Sequence, residues 1–158
     1  ISPKYIEAYY QLASSYEVMG YSEGAIFLYN RILKENPDEQ MAYFKLGNIY
    51  IKGRRWDDAK KLYKQMIEKY PDNDRAYNNL GHVCLSKGEA DEAVVFFNKA
   101  IDINPEDSFS YFNLGMAYIE LGKIKEAINS FELGLKLNPN DMRAKKYLLQ
   151  LQKTLQRE

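Results

Sequence analysis

Apolar side chains recur along this chain in two superimposed rhythms. Within each short segment they fall three or four residues apart, the spacing that places side chains on one face of an α-helix. The same arrangement then returns at a constant longer step, as in Leu12, Leu46, Leu80 and Leu114. We call this step the repeat period. A period of about 34 residues indicates stacked, repeated units rather than one irregular domain.

Small and aromatic residues keep the same repeat period. The small residues are Ala13, Gly47, Gly81 and Gly115 in one set and Ala25, Ala59, Ala93 and Ala127 in another. The aromatic residues are Tyr9, Tyr43, Tyr77 and Tyr111 in one set and Tyr29, Tyr63, Phe97 and Phe131 in another. A small residue lets a neighbouring helix approach closely, so each unit is predicted to be a tightly packed helix pair.

Prolines, glycines and polar residues mark the predicted helix ends. The five prolines are also one repeat period apart. The residues before four of them, at positions 36, 70, 104 and 138, are pushed out of the helical region, which ends each second helix there. Glycines between the paired helices are predicted to take positive φ; these are Gly20, Gly53, Gly88 and Gly122. The predicted caps of the following helices are Asp38, Asp74, Ser108 and Asp141.

Within one unit the motif is Tyr43-x-x-Leu46-Gly47-x-x-Tyr50, then Ala59-x-x-x-Tyr63, then Pro71. This motif resembles the tetratricopeptide repeat (TPR), a helix-turn-helix unit of the same length. The resemblance covers four units, at about residues 6–39, 40–73, 74–107 and 108–141. It implies an all-α fold, a right-handed α-solenoid of four repeats, and a non-catalytic protein-protein interaction module.

The two ends of the chain differ from the repeats. Residues 142–156 are predicted to form a polar-backed capping helix, because Lys145 and Gln152 replace two expected aromatic residues. Pro3 takes the position of a proline that closes a preceding unit. We therefore expect residues 1–158 to form a single TPR domain that is a fragment of a longer protein.

Composition narrows the classes of partner. The chain is 46% hydrophobic and 28% charged, which favours a folded protein. Its 22 basic and 22 acidic residues cancel, so no nucleic-acid partner is expected. No apolar run in the sequence is long enough to span a bilayer, so no direct membrane insertion is expected. The compartment stays open, with the cytoplasm as the default.

The first helices carry a second stripe whose chemistry changes from unit to unit, unlike the packing positions. The resemblance to tetratricopeptide repeats implies that this stripe lines a concave groove. We expect a largely apolar groove that binds a peptide or protein segment with hydrophobic anchors. The candidate ligand-binding residues are Met41, Phe44, Asn48, Ile51, Arg75, Asn78, Asn79, His82, Leu85, Phe109, Phe112, Asn113, Met116 and Ile119.

Helix 108–120 shows the clearest division into a packing stripe and a ligand-facing stripe. Tyr111, Leu114, Gly115 and Tyr118 are predicted to pack the repeat, whereas Phe109, Phe112, Met116 and Ile119 are predicted to face a ligand. Phe112→Ser should therefore leave stability nearly unchanged. Tyr111→Ser should lower it.

One known ligand of the family is disfavoured by the sequence. In the family's two-carboxylate clamp, which holds the acidic tails of chaperones, cationic side chains are required. Phe44, Phe109 and Asn113 stand at those positions here, so the paired hydrogen bonds to a carboxylate cannot form.

Other chemistry is predicted to be absent. His82 is the only histidine and Cys84 the only cysteine, so we expect no metal site, no cofactor and no nucleophilic dyad, and Cys84 is predicted to be buried and inert. Trp56 is predicted to be structural, and the basic cluster around Arg54 and Arg55 to be solvated. Two alternative functions remain: a scaffold that self-associates through exposed repeat ends, in which Tyr5, Ile6, Tyr9 and Tyr10 take part, and a regulatory domain of a larger enzyme or membrane protein.

Overall fold

The structure is a computed structural model that describes the backbone of residues 3–155 and the side chains of residues 5–155. Ile1 and the predicted last residue of the capping helix, Gln156, lie outside this part. The described residues form nine α-helices: α1 (Pro3–Val18), α2 (Ser22–Glu35), α3 (Gln40–Lys52), α4 (Trp56–Lys69), α5 (Asp74–Ser86), α6 (Ala90–Ile103), α7 (Ser108–Glu120), α8 (Ile124–Leu137) and α9 (Met142–Leu155).

The helices belong to two compact units that meet in sequence at Lys69 and Tyr70. The N-terminal unit contains α1 to α4, and the C-terminal unit contains α5 to α9. Inside each unit every helix packs against the next one along the chain. The predicted all-α fold of tandem helix-turn-helix repeats is therefore confirmed.

In three of the repeats a glycine of the first helix lies against an aromatic ring of the second helix. A Cβ atom added at Gly81 would lie 2.7 Å from Cε1 of Phe97, and one at Gly115 would lie 3.0 Å from Cε2 of Phe131. A Cβ atom added at Gly47 would likewise collide with the Tyr63 ring. Because these rings leave little room for a side chain, the recurrence of small residues, with Ala13 at the equivalent position of the first repeat, is a packing requirement.

The second helices supply the best-buried side chains. Ala25, Ala59, Ala93 and Ala127 are inaccessible to solvent, and so are the rings of Tyr29, Tyr63 and Phe97. Each second helix ends immediately before the residue that precedes a proline, as the sequence predicts. These helices therefore have their apolar face and their ends fixed by the repeated motif.

One turn departs from the predicted glycine pattern. Gly20, Gly88 and Gly122 have φ of 78°, 81° and 69°, but Gly53 has φ of −80°, and Arg54 takes the left-handed conformation with φ of 55°. Arg54, and not Gly53, lies one repeat period before Gly88. The left-handed conformation therefore recurs at the same position of each repeat, although the residue at that position of this turn is arginine. The prediction for Gly53 is wrong.

Three of the four predicted caps are displaced by one residue. Asn73 caps α5 by accepting a hydrogen bond from the Ala76 amide, and Asp107 caps α7 by accepting from the amides of Phe109 and Ser110. Asp74 and Ser108 are instead the first residues of these helices. The Asp141 side chain caps α9, as predicted, by accepting from the Arg143 and Ala144 amides. At α3 the cap residue is Glu39, not Asp38, and its side chain makes no capping bond.

Candidate functional site

A cavity of about 230 Å³ opens in the C-terminal unit among α7, α8 and α9. Helix α7 contributes four side chains, α8 contributes one ring, and α9 contributes its first two turns and its cap. The lining residues are Phe109, Phe112, Asn113, Met116, Phe131, Asp141, Arg143, Ala144 and Tyr147. We call this cavity the α7–α9 pocket.

Three aromatic rings form the apolar wall of the pocket. The Phe131 ring stacks on the Tyr147 ring with centroids 5.8 Å apart and planes 9° apart. The Phe112 ring also lies against Phe131, with centroids 6.4 Å apart and planes 25° apart. Aromatic pairs at these distances stabilise one another beyond their buried area. The pocket therefore has a rigid wall that an apolar side chain can contact.

Phe112 corrects the predicted division of α7 into two faces. Its side chain is only 8% exposed and belongs to the same hydrophobic cluster as Ala127, Phe131 and Leu151. The ring fills the space beside Gly134, where a Cβ atom would collide with it. Tyr111, the predicted packing residue, is half-buried. The expectation that Phe112→Ser leaves stability unchanged is therefore wrong, because Phe112 is a core residue with one edge at the pocket.

The mouth of the pocket combines an exposed ring with polar groups. Phe109 is 57% exposed, and Met116 is half-buried further along α7. Arg143 is an exposed side chain of α9, and the Asp141 carboxylate accepts a hydrogen bond from the Arg143 amide at 2.9 Å. The pocket thus combines an apolar lining with two side chains of opposite charge, Asp141 and Arg143, and the Arg143 guanidinium group can bind an anionic group of a ligand.

Asn113 and Asn78 are engaged in a polar network inside the C-terminal unit. Asn113 Nδ2 donates to Asn78 Oδ1 at 2.7 Å, and Asn78 Nδ2 lies 3.1 Å from Oγ of Ser110 and 3.3 Å from Oδ2 of Asp107. The hydroxyl of Ser110, which is fully buried, donates to Asp107 at 2.6 Å. These asparagines therefore join α5 to α7, a structural role that the predicted ligand contact did not include.

The other predicted site residues of the C-terminal unit do not line the α7–α9 pocket. Arg75 and His82 are exposed on α5, whereas Asn79, Leu85 and Ile119 are half-buried. Partial removal of water from the imidazole lowers the pKa of His82 below its ordinary value. Their contact with a ligand stays a prediction.

Four predicted site residues belong to the N-terminal unit. Met41 and Asn48 are exposed on α3, while Phe44 and Ile51 are half-buried. The Phe44 ring lies 6.4 Å from the Tyr63 ring, so it contributes to packing as well as to the surface of α3. Their contact with a ligand also stays a prediction.

Sequence reasoning missed the contribution of α9 to the site. Arg143 and Tyr147 lie one repeat period after Phe109 and Asn113, respectively. The variable stripe, extended by one repeat period from Phe109, leads to Arg143, and the candidate residue Asn113 leads to Tyr147. The motif of α9 itself predicts a capping helix and not a further part of the site.

One group among the described residues offers three possible metal-ligand atoms. Cys84 Sγ and carboxylate oxygens of Glu89 and Glu92 lie within 4.8 Å of one another. Cys84 is fully buried, as predicted, and its thiol donates to Glu92 at 3.7 Å, while Lys87 forms an ion pair with Glu89 at 3.1 Å. Protein partners thus already occupy these groups.

The basic cluster contains its own counter-charges. Arg55 contacts Asp58 at 2.7 Å and Glu23 at 2.8 Å, and its guanidinium carbon lies 4.7 Å from the centre of the Tyr50 ring.

Trp56 is half-buried at the first position of α4. Among the described helices, none is long and apolar enough to cross a membrane.

Comparison with protein families gives one consistent result. Three family models, each described as Tetratricopeptide repeat, match residues 6–49, 44–108 and 108–141. Together the matches cover nearly the whole chain without a gap. The chain belongs to the tetratricopeptide repeat family. No curated protein sequence shows a significant match to it.

Solved structures with the same architecture include three informative examples. A crystal structure of MamA protein matches with a TM-score of 0.82 and 24% identity, covering 94% of this chain and 81% of that one. The Sgt2 TPR domain from Aspergillus fumigatus matches with a TM-score of 0.72 and 21% identity, covering 75% and 80%. These two likenesses show the fold alone.

The third example contains a bound peptide. The first TPR of Spaghetti (RPAP3), bound to the HSP90 peptide SRMEEVD, matches with a TM-score of 0.70 and 25% identity, covering 73% of this chain and 91% of that one. The family and this neighbour define the class of the present chain. It is a protein-interaction module.

Proposed function

We propose that this chain binds a segment of a partner protein by inserting an apolar side chain into the α7–α9 pocket. The observation that carries the proposal is the pocket itself, in which stacked aromatic rings form the wall and Phe109 stands exposed at the mouth. A concave pocket lined mainly by apolar and aromatic side chains, with a few polar groups, is the usual form of a ligand site. The mode of action is non-covalent binding, with no catalytic step.

The chemistry of the pocket specifies the bound segment. The cavity of about 230 Å³ accommodates one large apolar side chain, such as Leu, Met or Phe. Arg143, which lines the pocket together with Asp141, can bind an acidic residue or a terminal carboxylate beside that anchor, because a charge-assisted hydrogen bond to guanidinium is stronger than a neutral one. The expected ligand is therefore a short segment with one hydrophobic anchor and an adjacent negative charge.

The peptide found on Spaghetti (RPAP3) is a useful comparison. SRMEEVD ends in an acidic residue and carries several carboxylates. In the present chain the positions predicted to need cations hold Phe44, Phe109 and Asn113. Arg143 supplies one cation at the α7–α9 pocket, so a single carboxylate beside an apolar anchor fits better than a ligand held by several charges.

The test is a selection of random peptides on the immobilised chain, followed by affinity measurements on the enriched peptides. Met116→Lys places a charge in the pocket from a half-buried position and should abolish binding. Leu149→Lys changes an exposed residue of α9 that does not line the pocket and should preserve binding. Enriched peptides that bind both variants equally would contradict the proposal.

A further inference from the structure

A hydrogen bond from a first helix to the cap residue of the next first helix occurs in both units. In the N-terminal unit the Tyr10 hydroxyl donates to Oε2 of Glu39, 29 residues later, at 3.2 Å. In the C-terminal unit Asn78 Nδ2 donates to Oδ2 of Asp107, also 29 residues later, at 3.3 Å. Asn78 and Asp107 lie two repeat periods after Tyr10 and Glu39. The bond therefore recurs at the same two positions of the repeat, and we call it the cap bond.

The side chains at the same two positions of α7 and α9 do not form a cap bond. These positions hold Phe112 and Asp141, which lie one repeat period after Asn78 and Asp107. A phenylalanine side chain has no hydrogen-bond donor. The acceptor of the cap bond is thus retained at α9, whereas its donor has been replaced by an apolar ring.

The caps of α7 and α9 also differ in how their carboxylate oxygens are used. Oδ2 of Asp107 accepts from Oγ of Ser110 at 2.6 Å, but Ala144, one repeat period after Ser110, has no donor in its side chain. At Asp141 the amides of Arg143 and Ala144 both bond to Oδ1, at 2.9 Å. Within the part of the chain that the structure describes, no residue donates to Oδ2 of Asp141. This oxygen can therefore accept a hydrogen bond from a ligand.

The available oxygen belongs to the α7–α9 pocket. Asp141 is half-buried and lines the pocket together with Phe112. A ligand that displaces water from this carboxylate has to supply a donor, because a buried polar group without a hydrogen bond costs free energy. Phe109, one repeat period before Arg143, stays 57% exposed although α8 and α9 follow it. The helices that follow a first helix therefore leave this face open to a ligand.

We propose that the partner segment donates a hydrogen bond from a side-chain amide, of Asn or Gln, to Oδ2 of Asp141. The inference rests on the proposed function and adds a third requirement to the apolar anchor and the negative charge. Both donors of the cap bonds, a phenol and an amide, are neutral. A cationic donor would share the pocket with the Arg143 guanidinium, which repels it. The amide is smaller than a phenol, and the cavity of about 230 Å³ also has to hold the anchor.

A double-mutant cycle tests the bond to Asp141. Random peptides are selected on the immobilised chain, and the amide residue of an enriched peptide is then replaced by Ala. On the wild-type chain this replacement should weaken binding at least about tenfold, because a hydrogen bond to a charged group is lost. On the Asp141→Ser chain it should weaken binding less than about twofold, because serine has only one side-chain oxygen, which caps α9.

Two controls accompany the cycle. Glu132→Gln removes the same charge at an exposed position of α8 outside the pocket, and it should keep the tenfold effect. The melting temperature of Asp141→Ser should stay within a few degrees of the wild type, because serine is as good a cap as aspartate.

The possible outcomes separate this inference from the proposed function. Enriched peptides that carry an apolar anchor but no Asn or Gln at a fixed distance from it, or that carry Lys or Arg there, would overturn the inference alone. Equal effects of the amide replacement on the wild-type and Asp141→Ser chains would do the same. Peptides that bind Met116→Lys as well as the wild type would contradict the proposed function itself, and a selection without any binding peptide would overturn both.

Discussion

Asn113 donates a hydrogen bond from Nδ2 to Oδ1 of Asn78 at 2.7 Å, and this bond joins α7 to α5. Asn78 in turn donates toward Ser110 and Asp107, which cap and anchor the start of α7. A half-buried amide with three partners of this kind orients one first helix against the next. It also fixes the α7 side of the α7–α9 pocket.

Removing the Asn78 amide should therefore destabilise the C-terminal unit. In Asn78→Ala, Asn113 loses the acceptor of its amide and Ser110 keeps only its bond to Asp107, and the loss of two or three such hydrogen bonds costs about 1–3 kcal/mol in total. Urea unfolding should show this loss of stability. Asn98→Ala, at an exposed position of α6, should change the free energy of unfolding by less than about 0.5 kcal/mol. Equal effects of the two substitutions would show that the hydrogen-bond network of Asn78 does not contribute to the free energy of unfolding.

Phe112 and Phe109 should separate stability from binding. Phe112→Ser removes a ring packed against Phe131 and Gly134 and should cost about 3–5 kcal/mol. Phe109→Ser removes an exposed ring and should leave the melting temperature within a few degrees, yet it should weaken binding of selected peptides at least about tenfold. Thermal melts measure the melting temperature of each variant, and calorimetric titrations measure its affinity for the selected peptides. A large fall in melting temperature for Phe109→Ser would contradict this assignment.

The left-handed turn at Arg54 offers a stabilising substitution. Arginine has a Cβ that disfavours φ of 55°, so Arg54→Gly should raise the free energy of unfolding by about 0.5–1 kcal/mol. Gly88→Ala, at the equivalent turn with φ of 81°, should lower it by a similar or larger amount. Chemical denaturation measures the free energy of unfolding of both variants. A destabilised Arg54→Gly chain would mean that the side chain of Arg54 outweighs the backbone strain.

Buried tyrosines should make the N-terminal unit sensitive to alkali. Burial, together with a hydrogen bond to Glu17, raises the pKa of Tyr29 to about 12. Because the unfolded pKa is about 10, the contribution of this phenol to stability is complete below pH 10 and is lost as pH rises toward 12. Tyr29→Phe should flatten the fall in stability over that range, whereas Tyr5→Phe, at an exposed ring, should not. Identical pH profiles for Tyr29→Phe and the wild type would contradict this account.

The sequence predicted the repeated core well because its restraints are periodic. Gly81 and Gly115 have to be small since the Phe97 and Phe131 rings lie against them, and that requirement returns once in every repeat period. The burial of Phe112 differs from the prediction partly because Gly134, which replaces Ala100 of the preceding repeat, leaves space for its ring. Helical periodicity gives the direction of a side chain but not the space available for it on the neighbouring helix.

The α7–α9 pocket could be predicted only in part. Phe109, Phe112, Asn113 and Met116 were among the predicted site residues, and the structure places them together at one cavity. Arg143 and Tyr147 come from a helix that does not continue the repeat motif. The repeat period indicates these two positions, but their place at the cavity depends on how α9 packs on α8, which is a tertiary contact.

The most direct test of the peptide-binding proposal is an NMR titration of the isotope-labelled chain with a selected peptide. The account predicts that the largest backbone amide shifts cluster at the α7–α9 pocket, around Asn113, Met116 and Arg143, and that Met116→Lys abolishes them. Largest shifts on helices that do not line the pocket, with Met116→Lys still binding, would contradict the account.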